Sequence, residues 1–196
     1  MAAATTLRPL ASLALPREGA ARLAVQALMV VAGTLLLTLS AKTKVVLGPV
    51  DMDLQTLAVP LIAAAFGWRM GLATVLLYLA QGAAGLPVFQ SSPEKGIGIA
   101  YMLGATGGYL AGFVVIAAMV GWAVDRGWDR NVFKLFAVML VADVIMMAMG
   151  YGWLSTLIGA EKAWQFGVAP FIGGELIKVA LASSVVPALW SLVRAK

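Results

Sequence analysis

Six apolar stretches dominate the sequence, at residues 21–40, 54–66, 70–86, 97–124, 132–158 and 169–193. A helix needs about 20 apolar residues to cross a bilayer, so a chain of 196 residues has room for six crossings, two tails and short connections, and none for a soluble domain. With 62% hydrophobic and only 12% charged residues, it cannot be a disordered chain, a collagen, a coiled coil or an ordinary water-soluble enzyme, which carries about twice that share of charge. The expectation is an all-α integral membrane protein with six transmembrane helices. Residues 1–19 form an N-terminal tail and residues 20–196 a single transmembrane domain. The second stretch is short for a lone spanning helix and contains Pro60, which removes a backbone donor, so it must tilt little or lie against other protein. The fourth is too long. A helix from near Ala105 to Val124 has the length of one span, which leaves residues 96–104 as a loop folded over the outer face.

The tail is Ala-rich and holds no long apolar run. It reads as a loosely ordered segment or a short surface helix. A cleaved signal peptide is the competing reading, with residues 23–41 as its apolar region; that region is longer than usual and further spans follow. Basic residues set the orientation. With the N-terminus in the cytoplasm, Arg8, Arg17, Arg22, Arg69, Arg126, Arg130, Lys134, Arg194 and Lys196 fall inside, and Lys42, Lys44, Lys95 and Lys162 outside. Every arginine is then cytoplasmic, as insertion prefers. Six spans place both termini inside, whereas an odd number would put the basic C-terminal end outside.

Cysteine and histidine are both absent, which excludes disulfides, thiol nucleophiles, imidazole acid–base chemistry and the commoner zinc sites. No GxxxxGK[ST] loop is present, so ATP hydrolysis belongs elsewhere. The net charge of +5 is explained by topology and needs no nucleic acid.

Three ionisable residues lie within the spans: Asp143, Glu175 and Lys178. Such groups face protein or a water-filled cavity. Glu175 and Lys178 are three apart and share a helix face, either as a neutralised structural pair or as a ligand clamp of acceptor and donor. Asp143 lies about 16 Å from the inner end of the fifth span, where it can support Lys178 or face a separate cavity. The glycines of Gly104-Ala105-Thr106-Gly107-Gly108-Tyr109 permit close approach of a ligand or of another helix. Asp53 can cap the second span, and Gln55 offers both donor and acceptor at the rim. If the sixth span begins near Val168, Glu175 lies roughly 10 Å below the outer surface, where it can converge with Gln55 and Tyr109 on an outward-opening pocket.

Several motifs in this order carry a family likeness. Gly48-Pro49-Val50, Leu54-Gln55-Thr56-Leu57, Gly85-Leu86-Pro87-Val88-Phe89, the segment from Gly104 to Tyr109, Pro170-Phe171 and Gly174-Glu175-Leu176-Ile177-Lys178 together resemble the BioY family, the biotin-binding S components of energy-coupling factor (ECF) transporters. The resemblance covers the chain from about Ala20. It implies the six-helix S-component fold, a multi-pass location in the bacterial cytoplasmic membrane, and a substrate-binding domain that is not an enzyme and uses no cofactor. It implies as partners a transmembrane coupling protein and two ATPase subunits; self-association stays open. It implies that Glu175 and Lys178 contact the ureido ring, that Gln55 and Tyr109 belong to the site with Thr106, Gly107 and Gly108, and that Ala20 and Ala24 meet the coupling protein. The carboxylate tail then sits toward the rim, near Gln90 or Ser91, on a loop acting as a lid. The family often has Asp where Glu175 stands, Gly-Pro-Thr at Gly104-Ala105-Thr106, and a neutral Pro-Ile-Thr at Asp51-Met52-Asp53. That acidic rim repels an anionic ligand unless Lys42 or Lys44 offsets it. The rival from another class is a stand-alone proton-coupled carrier, with Asp143 and Glu175 carrying H⁺.

Overall fold

The computed structural model describes residues 9–46 and 51–194; Arg8, Gly48, Pro49, Val50 and Lys196 lie outside the described residues. A 3-10 turn at Leu10–Ala14 precedes helix α1 (Ala20–Lys42). Two short antiparallel strands follow, β1 (Lys44–Val46) and β2 (Asp51–Asp53), pairing Lys44 with Asp53 and Val45 with Met52. Then come α2 (Gln55–Ala83), α3 (Gly98–Met102), α4 (Gly107–Val124), a second 3-10 turn at Trp128–Arg130, α5 (Val132–Ile158), α6 (Ala160–Gly167) and α7 (Ile172–Arg194). Five of these helices, α1, α2, α4, α5 and α7, are long and apolar enough to cross a membrane. The hairpin was not anticipated. Its β-branched pair Val45-Val46 favours strand over helix.

Helix α2 is not one rod. At Gly67 the backbone leaves the helical region, with φ 76° and ψ −175°. A straight helix would hold Gln55 and Tyr78 about 35 Å apart, yet the Gln55 Nε2 donates to the Tyr78 hydroxyl at 2.7 Å. The two arms, residues 55–66 and 68–83, therefore fold back on each other. They are the second and third apolar stretches of the sequence, separated where Gly67-Trp68-Arg69 interrupts them. Gly71 lets the arms touch: a Cβ there would come within 2.9 Å of the Ala63 Cα. The Asp125 carboxylate, just past the end of α4, accepts from the Trp68 N–H and so caps the start of the second arm. Pro60 is buried, shielded by the rest of the bundle.

Helix α4 packs between α2 and α5, and α7 closes against both. The core joins Val59, Ile62 and Tyr78 of α2 to Phe113 and Ile116 of α4, Leu135 and Met139 of α5 and Val179 of α7. α1 is peripheral, with Leu23, Leu28, Leu35 and Leu39 exposed. So broad an apolar exterior suits hydrocarbon, not water. One end of the bundle gathers the β-hairpin, residues 84–97, α3 and α6, tied by Lys42 Nζ to the Phe89 carbonyl and by the Tyr109 hydroxyl to the Gly167 carbonyl. The other end gathers the α2 break, Pro9 and Asp125, which a Cβ at Gly67 would strike. There too Asp129 accepts a bond from the Trp190 indole near the end of α7. The described part of the tail, residues 9–19, is not purely on the surface: Ala11 is buried and the Leu10–Ala14 turn packs on α2.

Two boundaries differ from expectation. The loop over the outer end contains α3, and α7 starts at Ile172 and not near Val168, because α6 and the turn at residues 168–171 occupy the space before it. Gly67→Ala is expected to cost about 1–3 kcal/mol, the price of a backbone region open essentially to glycine alone. Thermal unfolding in detergent checks this; Gly152→Ala, inside α5 and with a Cβ that meets nothing within 4 Å, should not lower the midpoint, since Ala favours a helix over Gly.

Candidate functional site

A cavity of about 620 Å³ opens at the end that holds the β-hairpin and α6. Its deep wall is the first turn of α7. Glu175 and Lys178 are 5% and 8% exposed, and the Lys178 Nζ donates to Glu175 Oε1 at 2.8 Å and to the Thr56 hydroxyl of α2 at 2.7 Å. An ammonium has three donors, so one is left over. Glu175 Oε2 is buried and has no hydrogen-bond partner among the described residues. The pair is therefore held in place but incompletely satisfied, offering one acceptor and one donor. Because α7 starts at Ile172, Glu175 lies only about 5 Å along the helix, not seven residues in; there the helix N-terminus favours its negative charge.

The arms of α2 supply the next wall. Gln55 is anchored through Tyr78, whose hydroxyl donates to the Val88 carbonyl at 2.9 Å. The Asp53 Oδ1 accepts from the Gln55 N–H at 3.0 Å, so Asp53 does cap this helix while also lining the cavity. Burial pushes its carboxyl up to about 6; the Gln55 N–H and Lys178 oppose that rise and Glu175 adds to it. Tyr109 of α4 contributes its ring, with its hydroxyl donating to Gly167 at 2.7 Å. The remaining walls are mostly apolar: Phe113, Met146, Met147, Leu154 and Phe171.

The mouth is formed by residues 89–95. Phe89 stacks on Tyr101 with centroids 4.9 Å apart, and the Tyr101 hydroxyl donates to the Gln90 carbonyl at 2.6 Å. The Lys42 ammonium donates to the carbonyls of Phe89 and Ser92 and to the Ser92 hydroxyl. Lys42 is thus a strut for this loop. Gln90, Ser91 and Lys95 face the cavity.

Of the residues singled out from sequence, Gln55, Gln90, Ser91, Thr106, Tyr109, Glu175 and Lys178 line this one cavity. Gly107 and Gly108 do not. Gly107 packs against the Met102 carbonyl of α3 and the Trp153 ring of α5, and Gly108 against α5, where a Cβ would strike the Met149 carbonyl and come within 2.9 Å of the Gly150 Cα; their smallness serves helix contact. Asp143 is buried, one turn from Met146 on α5, and is not part of the wall. Its Oδ1 lacks a hydrogen bond among the described residues, and it lies within electrostatic reach of Glu175 and Lys178. Ala20 and Ala24 are exposed on α1, far from the cavity. Sequence reasoning passed over Thr56, Lys95 and Tyr101 as site residues. Thr56 stood beside Gln55 as a polar residue in an apolar stretch, which was a usable signal. The methionines carried none, since a Met on an apolar helix face reads as core. No group of three or more Asp or Glu among the described residues is placed to hold a metal ion.

The comparisons with known proteins agree with one another. The model of the BioY family matches residues 11–195. The chain is 33% identical to the probable biotin transporter BioY of Pyrococcus horikoshii over 147 residues, 75% of this chain and 85% of that one. It is 34% identical to the biotin transporter BioY of Thermotoga maritima over 154 residues, 78% and 88% of the two chains. It is 30% identical to the biotin transporter BioY2 of Lactococcus lactis over 157 residues, 79% and 84%. Among solved structures, the S-component for biotin from an ECF-type ABC transporter superposes with a TM-score of 0.71 at 20% identity, covering 89% of this chain and 95% of that one. With its family model matched over nearly its full length, the chain belongs to the BioY family.

Proposed function

We propose that this chain binds biotin in the cavity and serves its uptake as the S component of an ECF-type transporter. The observation that carries the reading is the unpartnered Glu175 Oε2 beside the spare Lys178 donor. A cyclic urea has N–H donors and one strong carbonyl acceptor, so one N–H meets Glu175 Oε2 and the carbonyl meets Lys178. Both bonds are charge-assisted and strong. The fused rings and aliphatic tail suit walls of Tyr109, Phe113 and Met146, and the volume is ordinary for a small-ligand site. Gln55 and Thr106 line the same space, and Gln90 and Ser91 lie at the mouth beside the tail.

Counting α2 as two arms gives six crossings in the cytoplasmic membrane of a bacterium, with both termini inside. The cavity then opens outward. This fits Arg69 and Arg126 at the Gly67 end and Lys42, Lys95 and Lys162 at the cavity end. The arms are short for a bilayer, but half of α2 is buried among the other helices. A transmembrane coupling protein and two ATPase subunits supply the energy, and Ala20 and Ala24 on exposed α1 are offered to the coupling protein. The proposed reading needs no cofactor.

Glu175→Ala and Lys178→Ala are each expected to weaken biotin binding on the order of a hundredfold, since each leaves its partner buried and unpaired. Calorimetry on the detergent-solubilised chain checks this, and normal binding by both variants would remove the clamp. Asp53 gives a prediction in pH. Its folded value of about 6 exceeds the ordinary carboxyl value of 3.8, so ionisation costs stability. The cost is absent at low pH, grows between the two values and is complete above the higher one. Asp53→Asn, which keeps an acceptor for the Gln55 N–H, should melt above the unaltered chain near pH 7.5, with the gap closing as pH falls toward about 4. The lack of native cysteine makes topology testable: Lys162→Cys should label from outside intact cells, and Arg126→Cys only after permeabilisation.

A further inference from the structure

Two carboxyl and two ammonium side chains line the cavity: Asp53, Glu175, Lys95 and Lys178. Glu175 and Lys178 neutralise each other at the deep end at 2.8 Å. Asp53 lies within electrostatic reach of Lys178 and Glu175. Lys42, the other cation near the mouth, is committed to the carbonyls of Phe89 and Ser92. Lys95 makes no ion pair among the described residues, and so is the one uncompensated positive charge on the cavity wall.

Its loop is not free to wander. The Lys95 N–H donates to the Ser91 carbonyl at 2.8 Å and the Gly96 N–H to the Pro93 carbonyl at 2.9 Å. Tyr101 holds Gln90 at 2.6 Å, and the Lys42 strut holds Ser92. An exposed cation therefore stands on a tethered backbone at the solvent edge of the cavity, whereas the pair that suits a neutral urea is buried. The neighbouring Gln90 and Ser91 are neutral donors that bond a carboxylate and a carboxamide with little distinction. Only a full positive charge separates the two.

We propose that Lys95 selects ligands by their anionic tail, pairing with the carboxylate of a molecule whose neutral ring end occupies Glu175 and Lys178. This rests on the reading of the cavity as a biotin site and adds the residue that sets preference at its outer end.

The test compares biotin with its uncharged amide, biotinamide, on the full chain in detergent. The unaltered chain should prefer biotin by about tenfold, as a charged hydrogen bond provides. The preference should shrink as salt rises, because a pair at the mouth is screened. Lys95→Met and Lys95→Gln should bind both compounds within about twofold of each other, with biotinamide affinity unchanged; Lys95→Arg should keep most of the preference. The proposal is overturned if the unaltered chain binds the two compounds equally, if Lys95→Met and Lys95→Gln retain the preference, or if both lose biotinamide as well, which would mark a general structural role. Failure of the unaltered chain to bind either compound would sink the biotin reading itself, an outcome distinct from equal binding.

Discussion

A buried ion pair in an apolar bundle must be enclosed on every side, and the architecture is organised around meeting that demand for Glu175 and Lys178. Moving either charge from water into a low-dielectric interior costs several kcal/mol before their mutual attraction repays it. α7 alone cannot provide the enclosure, since Leu176, Ile177 and Leu181 on its other face are exposed. The arms of α2 supply it, and Thr56 adds the hydroxyl that takes a second ammonium proton. The fold-back at Gly67 is thus more than a topological detail. A continuous α2 would carry Tyr78 far from Gln55, and the wall opposite α7 would be lost.

From that wall a chain of contacts runs to the mouth. Gln55 bonds Tyr78, Tyr78 bonds the Val88 carbonyl, and the Tyr78 ring meets Phe89 edge-on at 5.5 Å. Phe89 stacks on Tyr101, and Tyr101 holds Gln90. Gly82 makes room for the Phe89 ring: a Cβ there would overlap it. The mouth loop is built as an extension of the second arm of α2, with α1 attached to it through Lys42. Perturbing any link, even one outside the cavity, should be felt at the mouth.

The spans were legible because hydrocarbon enforces a length and a composition that no other solvent does. The break at Gly67 was legible because Trp68-Arg69 places polar and aromatic groups where a straight helix would need apolar ones. The pair three residues apart on α7 was legible because buried charges are rare enough to stand out. That Gly107 and Gly108 lie outside the cavity lining was not legible, because a glycine permits close approach without stating by what; only the positions of Met102, Met149 and Gly150 tell. α6 and α3 were missed because a helix of eight residues or fewer lying against an end leaves no periodic signal distinct from a loop. The structural part played by Lys42 was not legible either, since nothing in the sequence says that three oxygens of a distant loop accept from its ammonium.

The same electrostatics that demand the enclosure dictate which end of a ligand can go deep. The Glu175–Lys178 pair is neutral as a unit. A urea that accepts one bond and donates one leaves it neutral, so no net charge enters the part of the bundle where charge is most expensive. A carboxylate inserted first would bring a third charge against Glu175, with Asp143 buried close by on α5 and Asp53 on the adjoining wall. An anionic tail is therefore driven to the mouth, where solvent and Lys95 receive it. Orientation follows from the distribution of charge along the cavity, before any fit of shape is considered.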